Sequence, residues 1–403
     1  MFMHLVITAN RRKAAEYLAS TAEEGQDYPQ NHFDEIDLEN MLQHIPVQNK
    51  TDLIDYAEEH RDSFLENAVL FSETSGTTGK PLQTPRGNIE LNWNTQNQMY
   101  AYSRLLKKKQ DRVAIIHPGM LSPFIEATTF ALRKLEVGYV KVFPIEGICD
   151  YRRIRDVLVR YQITTLMTTP SLALKILYEI KKLGEGAELK LDKVLLTGEL
   201  ITEACEANFK KILGEACEVV AFVYGGSETA SLMYGIGNGQ YLPFQEDFIF
   251  EIVDGEVTIA NADEYRVKGE LHVTWLKGGL LPIKRYNTND VFEVTVKKNH
   301  PFKFKPLGRI ANLQAGYPSS ARLEELIYSV QQPIFNYVAN CSSTQRSIDV
   351  DLVALGSDQV VEEVRSTLRK EFPQYEVTVR LNVAQDPFLQ FAPKPKLARY
   401  MIN

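Results

Sequence analysis

From Arg112 to about Thr229, short apolar runs alternate with stretches whose apolar positions recur at helical spacing. The runs 113–116, 139–143, 164–168, 194–197 and 219–224 are rich in Val, Ile, Leu and Thr, which predicts strands. Leu158, Leu166 and Leu195 anchor neighbouring elements of the series. Strands alternating with helices predict an α/β fold with a parallel, helix-wrapped sheet, and such sheets bind ligands in loops beyond the carboxyl ends of their strands. Residues 245–300 change character and become alternating, with many Val, Ile, Thr and turn residues, as in 248–258 and 269–275; this predicts an antiparallel or barrel-like subdomain. After Gly308 a smaller pattern follows: a helix near 322–330, strands near 334–340 and 348–354, a helix near 359–372 and a strand near 375–383. It reads as a separate α+β domain of about a hundred residues, giving a division into 1–308 and 309–403. No internal repeat, low-complexity tract or long charge run interrupts these patterns, which places function in loops.

At 403 residues and 44% hydrophobic content the chain can bury a core of the size two or three domains need. A formal charge of -7, from 52 acidic against 45 basic residues, argues against a nucleic-acid binder. The apolar run 2–8 is too short to span a membrane and lacks the basic leader and cleavage site of a secretory signal, so a cytoplasmic protein without membrane attachment is expected. Cys149, Cys205, Cys217 and Cys341 have neither metal-ligand spacing nor the number needed to staple such a chain, and are expected to be reduced.

One loop carries most of the chemical signal. Phe71-Ser72-Glu73-Thr74-Ser75-Gly76-Thr77-Thr78-Gly79-Lys80-Pro81 concentrates hydroxyls, glycines and a lysine. Glycines let backbone N–H groups turn toward an anion, hydroxyls donate further hydrogen bonds, and the lysine adds a compact positive charge, so the loop suits phosphate. The P-loop of nucleotide hydrolases is a poor match: Thr74 stands where its first glycine belongs, and Pro81 where its magnesium-binding Ser or Thr belongs.

The loop resembles the phosphate-gripping signature of the adenylate-forming superfamily of acyl-CoA synthetases, luciferases and peptide-synthetase adenylation domains. Later segments resemble the same family in the same order: Tyr224-Gly225-Gly226-Ser227-Glu228-Thr229, Gly269-Glu270-Leu271, Arg285-Tyr286-Asn287-Thr288-Asn289-Asp290, Gly308-Arg309 and Pro395-Lys396-Leu397-Ala398-Arg399. The short chain, Ser227 in place of Thr, Asn289 before Asp290, and the leading segment Ile45-Pro46-Val47 with Lys50-Thr51-Asp52-Leu53 resemble the phenylacetate-CoA ligase branch.

The resemblance implies an enzyme that joins an organic, aromatic acid to AMP from ATP and passes the acyl group to CoA, with the C-terminal domain mobile. It implies that Thr74, Ser75, Gly76, Thr77, Thr78, Gly79 and Lys80 hold the β- and γ-phosphates and that Ser227 bonds the α-phosphate. Glu228 would hold a bridging Mg2+, Tyr224 would stack on the adenine with Gly225 also in the ATP/AMP site, Asp290 would accept from both ribose hydroxyls, and Arg309 would reach the ribose or phosphate. Lys396 would bridge the carboxylate and α-phosphate oxygens in the transition state, with Lys394 a near neighbour. His117, Phe124 and Gly225 would face the acyl group, with Met120 and Phe222 close by. His117 is not expected to act as a general base, because a carboxylate is already ionised at neutral pH. A homodimer is the family expectation.

Two departures bear on the second half-reaction. The acidic residues that follow Gly-Arg in the family's hinge are missing from Ile310-Ala311-Asn312, and Pro395 replaces a glycine before Lys396. In the family that hinge lets the small domain rotate between adenylation and thioester formation. A carrier-protein thiol or an amine therefore stays open as the acceptor, as does an ATP-binding scaffold without turnover.

Overall fold

The computed structural model of the protein describes residues 2–21, 37–74, 80–117, 122–145, 148–184, 189–313, 317–355, 358–381 and 399–402. Strand β1 (Phe2–Ile7) precedes the five strands of the expected parallel core: β2 (Arg112–Ile116), β3 (Gly138–Lys141), β4 (Thr165–Thr168), β5 (Lys193–Thr197) and β6 (Glu218–Gly226). Pairings β3–β2, β2–β4, β4–β5 and β5–β6 are all parallel. Local sequence sets the crossovers. Helix Pro170–Lys182 starts at Thr169, whose side chain accepts from the Leu172 N–H, has Pro170 in its first turn, and ends on Lys181 and Lys182 at the negative pole of its dipole. Helix Glu203–Leu213 is capped in the same way by Thr202 and stops at Gly214, which adopts φ 99°.

The β-rich stretch forms β7 (Ala230–Gly237), β8 (Gln240–Pro243), β9 (Phe248–Asn261), β10 (Glu264–Trp275), β11 (Tyr286–Lys297) and β12 (Lys303–Arg309). It does not make a separate barrel. All twelve strands lie in one ladder, in the order β1-β9-β10-β11-β12-β8-β7-β6-β5-β4-β2-β3. The cause is the turn Ser227-Glu228-Thr229, too short for a crossover, which folds β7 back antiparallel onto β6. Strand β8 meets β12 through one pair, Tyr241 with Phe304. Strand β1, expected only as a short apolar run, pairs antiparallel with β9 at the edge.

A second sheet, ordered β15-β14-β13-β16, consists of β13 (Ile334–Ser342), β14 (Ser347–Ala354), β15 (Glu376–Leu381) and β16 (Tyr400–Ile402). Together with helices Ser320–Tyr328 and Asp358–Glu371 it makes the small C-terminal α+β domain. Leu166 and Leu195 are fully buried, and Leu158 is nearly so. The four cysteines are free and buried. No helix among the described residues is long and apolar enough to cross a membrane.

Candidate functional site

Residues 69–74 and 82–86 form a short hairpin that presents the hydroxyl- and glycine-rich loop. The Arg86 N–H donates to Leu70 O at 2.9 Å, the Thr84 N–H to Ser72 O at 2.7 Å and the Thr74 N–H to Leu82 O at 2.9 Å. Thr74 also accepts the Leu82 N–H on its hydroxyl at 2.9 Å, so this hydroxyl closes the hairpin. Lys80 pairs with Glu58 on the surface. Ser75, Gly76, Thr77, Thr78 and Gly79 lie outside the described residues, as does Met120.

The stem meets the Glu228 turn through Arg86, which sequence reasoning did not single out. Its guanidinium is buried and donates to the Ser227 carbonyl and, at 2.9 Å, to the Glu228 carbonyl. Burial weakens its hold on its proton, while Glu90 at 3.6 Å and Glu228 work against that; a guanidinium keeps its charge in either case. Burial pushes the Glu90 carboxyl up, opposed by Arg86 and by the N–H groups of Gly87 and Leu280 at 2.6 and 3.2 Å. An arginine six positions past Lys80 carries no signature, because its partners lie about 140 residues away in the chain.

In the turn itself the Gly226 N–H donates to the Thr229 hydroxyl at 3.0 Å. At Gly225 a Cβ would run into the Ala230 carbonyl, so close backbone approach accounts for glycine there. The Glu228 carboxylate is half-buried and accepts the Tyr286 hydroxyl at 2.9 Å. Burial, and then the Glu228 charge, keep the Tyr286 phenol protonated far above neutral pH.

A second tyrosine–carboxylate pair links β6 to β11. Tyr224 donates its hydroxyl to Asp290 Oδ2 at 2.7 Å, and burial followed by the Asp290 charge raises its pKa well above the ordinary phenol value. Arg309, opposite Asp290 in the β11–β12 ladder, brings Nε to 2.9 Å from Asp290 Oδ1 and donates to Thr288 O at 3.2 Å. Tyr224 thus meets one Asp290 oxygen and Arg309 the other. The backbone explains a departure from the family motif: Asn289 sits at φ 57°, a left-handed conformation that asparagine tolerates better than other non-glycine residues. Asn289 N–H donates to Asn287 Oδ1 at 2.7 Å.

Farther along the carboxyl edge of the parallel strands, His117 follows β2 and its ring lies 5.4 Å from that of Phe124. Gly198 follows β5 with φ 82°; a Cβ there would come within 3.8 Å of His117 Nε2 and 3.5 Å of Thr169 Cγ2. Gly198 is a further lining position that sequence reasoning missed. Phe222 does not join this group: its buried ring packs 4.4 Å from that of Tyr102 in the core. Lys394, Pro395 and Lys396 lie outside the described residues, three to five positions before Arg399. Arg399 itself is buried against Glu199 and Glu324.

Among the described residues no three His, Cys, Asp or Glu side chains gather as a metal cage. Mg2+ does not demand one, since it is commonly held by one or two carboxylates plus substrate phosphates and water. Glu228, with Oε1 engaged by Tyr286 and Oε2 carrying no hydrogen bond from that phenol, fits such a partial ligand set.

No family model and no curated protein matches the sequence. Solved structures do match. A 2-hydroxyisobutyryl-CoA ligase in its postadenylation state with an acyl-AMP aligns with a TM-score of 0.72 at 12% identity, over 98% of this chain and 86% of that one. The same ligase with acyl-AMP and CoA in its thioesterification state aligns with a TM-score of 0.56 at 14% identity, over 98% and 85%. An anthranilate CoA ligase bound to anthranoyl-AMP aligns with a TM-score of 0.55 at 13% identity, over 82% and 64%. The chain has the fold of the adenylate-forming CoA ligases, a large sheet with helices and a small C-terminal domain.

Proposed function

We propose that the protein activates a carboxylic acid with ATP to an acyl adenylate and passes the acyl group to CoA, with its two domains dividing after Gly308. A carboxylate oxygen of the acid bonds to the α-phosphorus, the bond from that phosphorus to the pyrophosphate oxygen breaks, and pyrophosphate leaves. A thiol then attacks the acyl carbon, AMP departs and the thiol proton is released. The carrying observation is the arrangement of Glu228–Tyr286 and Tyr224–Asp290–Arg309 beside the stem of the hydroxyl- and glycine-rich loop.

Each group has work it is suited to. Asp290 offers carboxylate oxygens as acceptors for the two ribose hydroxyls, and Tyr224 presents a half-buried ring for the adenine. Thr74, Lys80 and residues 75–79 supply hydroxyls, N–H groups and a charge for the β- and γ-phosphates. Mg2+, when bound at Glu228, offsets phosphate charge. Tyr286 orients that carboxylate, and Arg86 fixes the backbone on which Ser227 and Glu228 stand. Lys396 adds a charge at the transition state, a role of the oxyanion-hole kind, where loss of one donor typically costs about a hundredfold or more. His117 and Phe124 favour a planar, aromatic acid of the phenylacetate type.

The second reading keeps adenylation and sends the acyl group to a carrier-protein thiol or an amine. The missing acidic hinge residues and Pro395 favour it. Pyrophosphate–ATP exchange against a panel of aromatic and aliphatic acids tests adenylation. Exchange with one acid class that collapses in Lys396→Ala is the expected result. No exchange with any acid, while ATP still binds, would sink it. Thioester formation on adding CoA separates the two acceptors.

A further inference from the structure

Helix Asn88–Ser103 begins directly after the stem of the hydroxyl- and glycine-rich loop, and its first two turns carry buried polar side chains that reach the Glu228 turn. Glu90 stands at the third helical position, from which it reaches back to accept the Gly87 N–H at 2.6 Å on Oε2, while Oε1 accepts the Leu280 N–H at 3.2 Å. The same Oε1 lies 3.6 Å from Arg86 Nη1. Arg86 in turn donates from Nη2 to the carbonyls of Ser227 and Glu228. One helical turn beyond Glu90, Asn94 accepts the Ser231 N–H at 3.2 Å. Both ends of the connection between β6 and β7 are thus tied to one helix, the first through Arg86 and Glu90 and the second through Asn94 directly.

Arg86, Glu90 and Asn94 are each 5% exposed or less. With Glu228, Trp93 and Trp275, the Arg86 and Glu90 side chains line one small cavity, so their charges act on one another across apolar walls more than through water. A buried ion pair is a weak way to add stability, since well-packed apolar side chains of similar volume do as well or better. What this pair supplies is direction: a guanidinium held so that it donates to two particular carbonyls. The neighbouring loop makes room for it, because a Cβ at Gly279 would come within 2.4 Å of Glu90 Oε1.

We infer that Glu90 and Asn94 are positioning residues for Glu228, acting through Arg86 and through Ser231, and that Glu90 also balances the Arg86 charge so that the Glu228 carboxylate stays available to a cation. The turn Ser227-Glu228-Thr229 is short, so a shift at either end moves the carboxylate it presents, and Tyr286 meets that carboxylate at Oε1. Without the Glu90 charge, the guanidinium is left to turn its field on Glu228, the other carboxylate of the cavity. That the cation is the Mg2+ of a bound nucleotide rests on the proposed function; that the helix holds the turn does not.

Amide hydrogen exchange of the ligand-free protein, read on peptides covering 226–231, tests the holding. In Glu90→Gln exchange there is expected to be about tenfold faster, as for loss of one hydrogen bond to a charged group, with β2 to β5 unchanged. Asn94→Ala is expected to speed exchange at Ser231. Wild-type exchange at 226–231 in both variants overturns the inference. Calorimetric titration with ATP, with and without Mg2+, tests the charge balance. Glu90→Gln is expected to reduce the affinity gained on adding Mg2+ about fivefold, with affinity for metal-free ATP kept within about twofold. An equal loss with and without the metal overturns that part of the inference. If Glu90→Gln does not fold, Gly279→Ala crowds the same carboxylate without altering Arg86 or Glu90, and the same two results are expected of it. A wild-type protein whose ATP affinity ignores Mg2+ overturns the role proposed for Glu228, while the amide readout still decides whether the helix holds the turn.

Discussion

Two charged clusters share the carboxyl edge of the large sheet, and they differ in what they leave open. At Asp290, Tyr224 meets one carboxylate oxygen and Arg309 the other, the residue is half-buried, and Arg309 beside it is exposed. At Arg399 the guanidinium meets two carboxylates and a hydroxyl, and water is shut out. The first cluster is open to solvent; the second is enclosed by the fold. Charge alone does not mark a site. Access of a ligand to the charged groups does, and only the first cluster offers it.

The largest expected effect would break that contrast from the buried side. Glu324→Ala removes one partner from a desolvated pair and is expected to lower unfolding free energy by ~3–5 kcal/mol; equilibrium denaturation followed separately in the two domains reads it. Asp290→Ala should do the reverse, changing stability by less than about 1 kcal/mol as expected for a partly exposed pair. It should cut pyrophosphate exchange by about a hundredfold, the loss of two hydrogen bonds to a charged acceptor. A folding defect with normal exchange would reverse the assignment of the two clusters. Tyr286→Phe removes one donor from Glu228 and is expected to slow exchange about tenfold while raising the Mg2+ concentration needed for half-maximal rate.

The smallest expected effect concerns a third cluster, far from both. His272 on β10 is buried beside Glu251 on β9, with Glu270, Arg285 and His4 around it, and burial lowers its pKa below the usual histidine value. The unfolded chain therefore binds a proton there before the folded one does, so stability is lost as pH falls below about 6.5, by no more than about 1.4 kcal/mol per pH unit from this one group. His272→Gln is expected to flatten that acid limb, as read from denaturation midpoints between pH 7 and 5.

Much of the fold was legible because the parallel strands are apolar runs with nothing else to be. The runs at 164–168 and 194–197 fall within one residue of β4 and β5, and the small domain's two helices and strands β13, β14 and β15 lie within two residues of where periodicity puts them, whereas β16 was not foreseen. Less legible was how segments join. The stretch 245–300 alternates as an antiparallel sheet should, yet alternation does not say whether a sheet closes on itself or extends a neighbour. At the site, Tyr224, Glu228, Asp290 and Arg309 stood out through motif resemblance; the structure joins Tyr224 and Arg309 to Asp290 and pairs Glu228 with Tyr286. Arg86 did not stand out, since a buried arginine is defined by carbonyls about 140 residues away. Glu199 and Glu324 were hidden for the same reason, 125 residues apart and each an ordinary glutamate in its own segment.

The single Tyr241–Phe304 pair between β8 and β12 has a consequence for how the protein breathes. Five of the six strands from β2 to β7 form a parallel stack bordered by a hairpin, and β9 to β12 with β1 form an antiparallel one; among the described residues only this rung of the ladder, and the strand β8 that carries it, connect them. Hydrogen bonds within each stack are many and mutually supporting, whereas one rung can open without disturbing either. Native-state hydrogen exchange should therefore divide the large sheet into two cooperative opening units, with the seam at Tyr241.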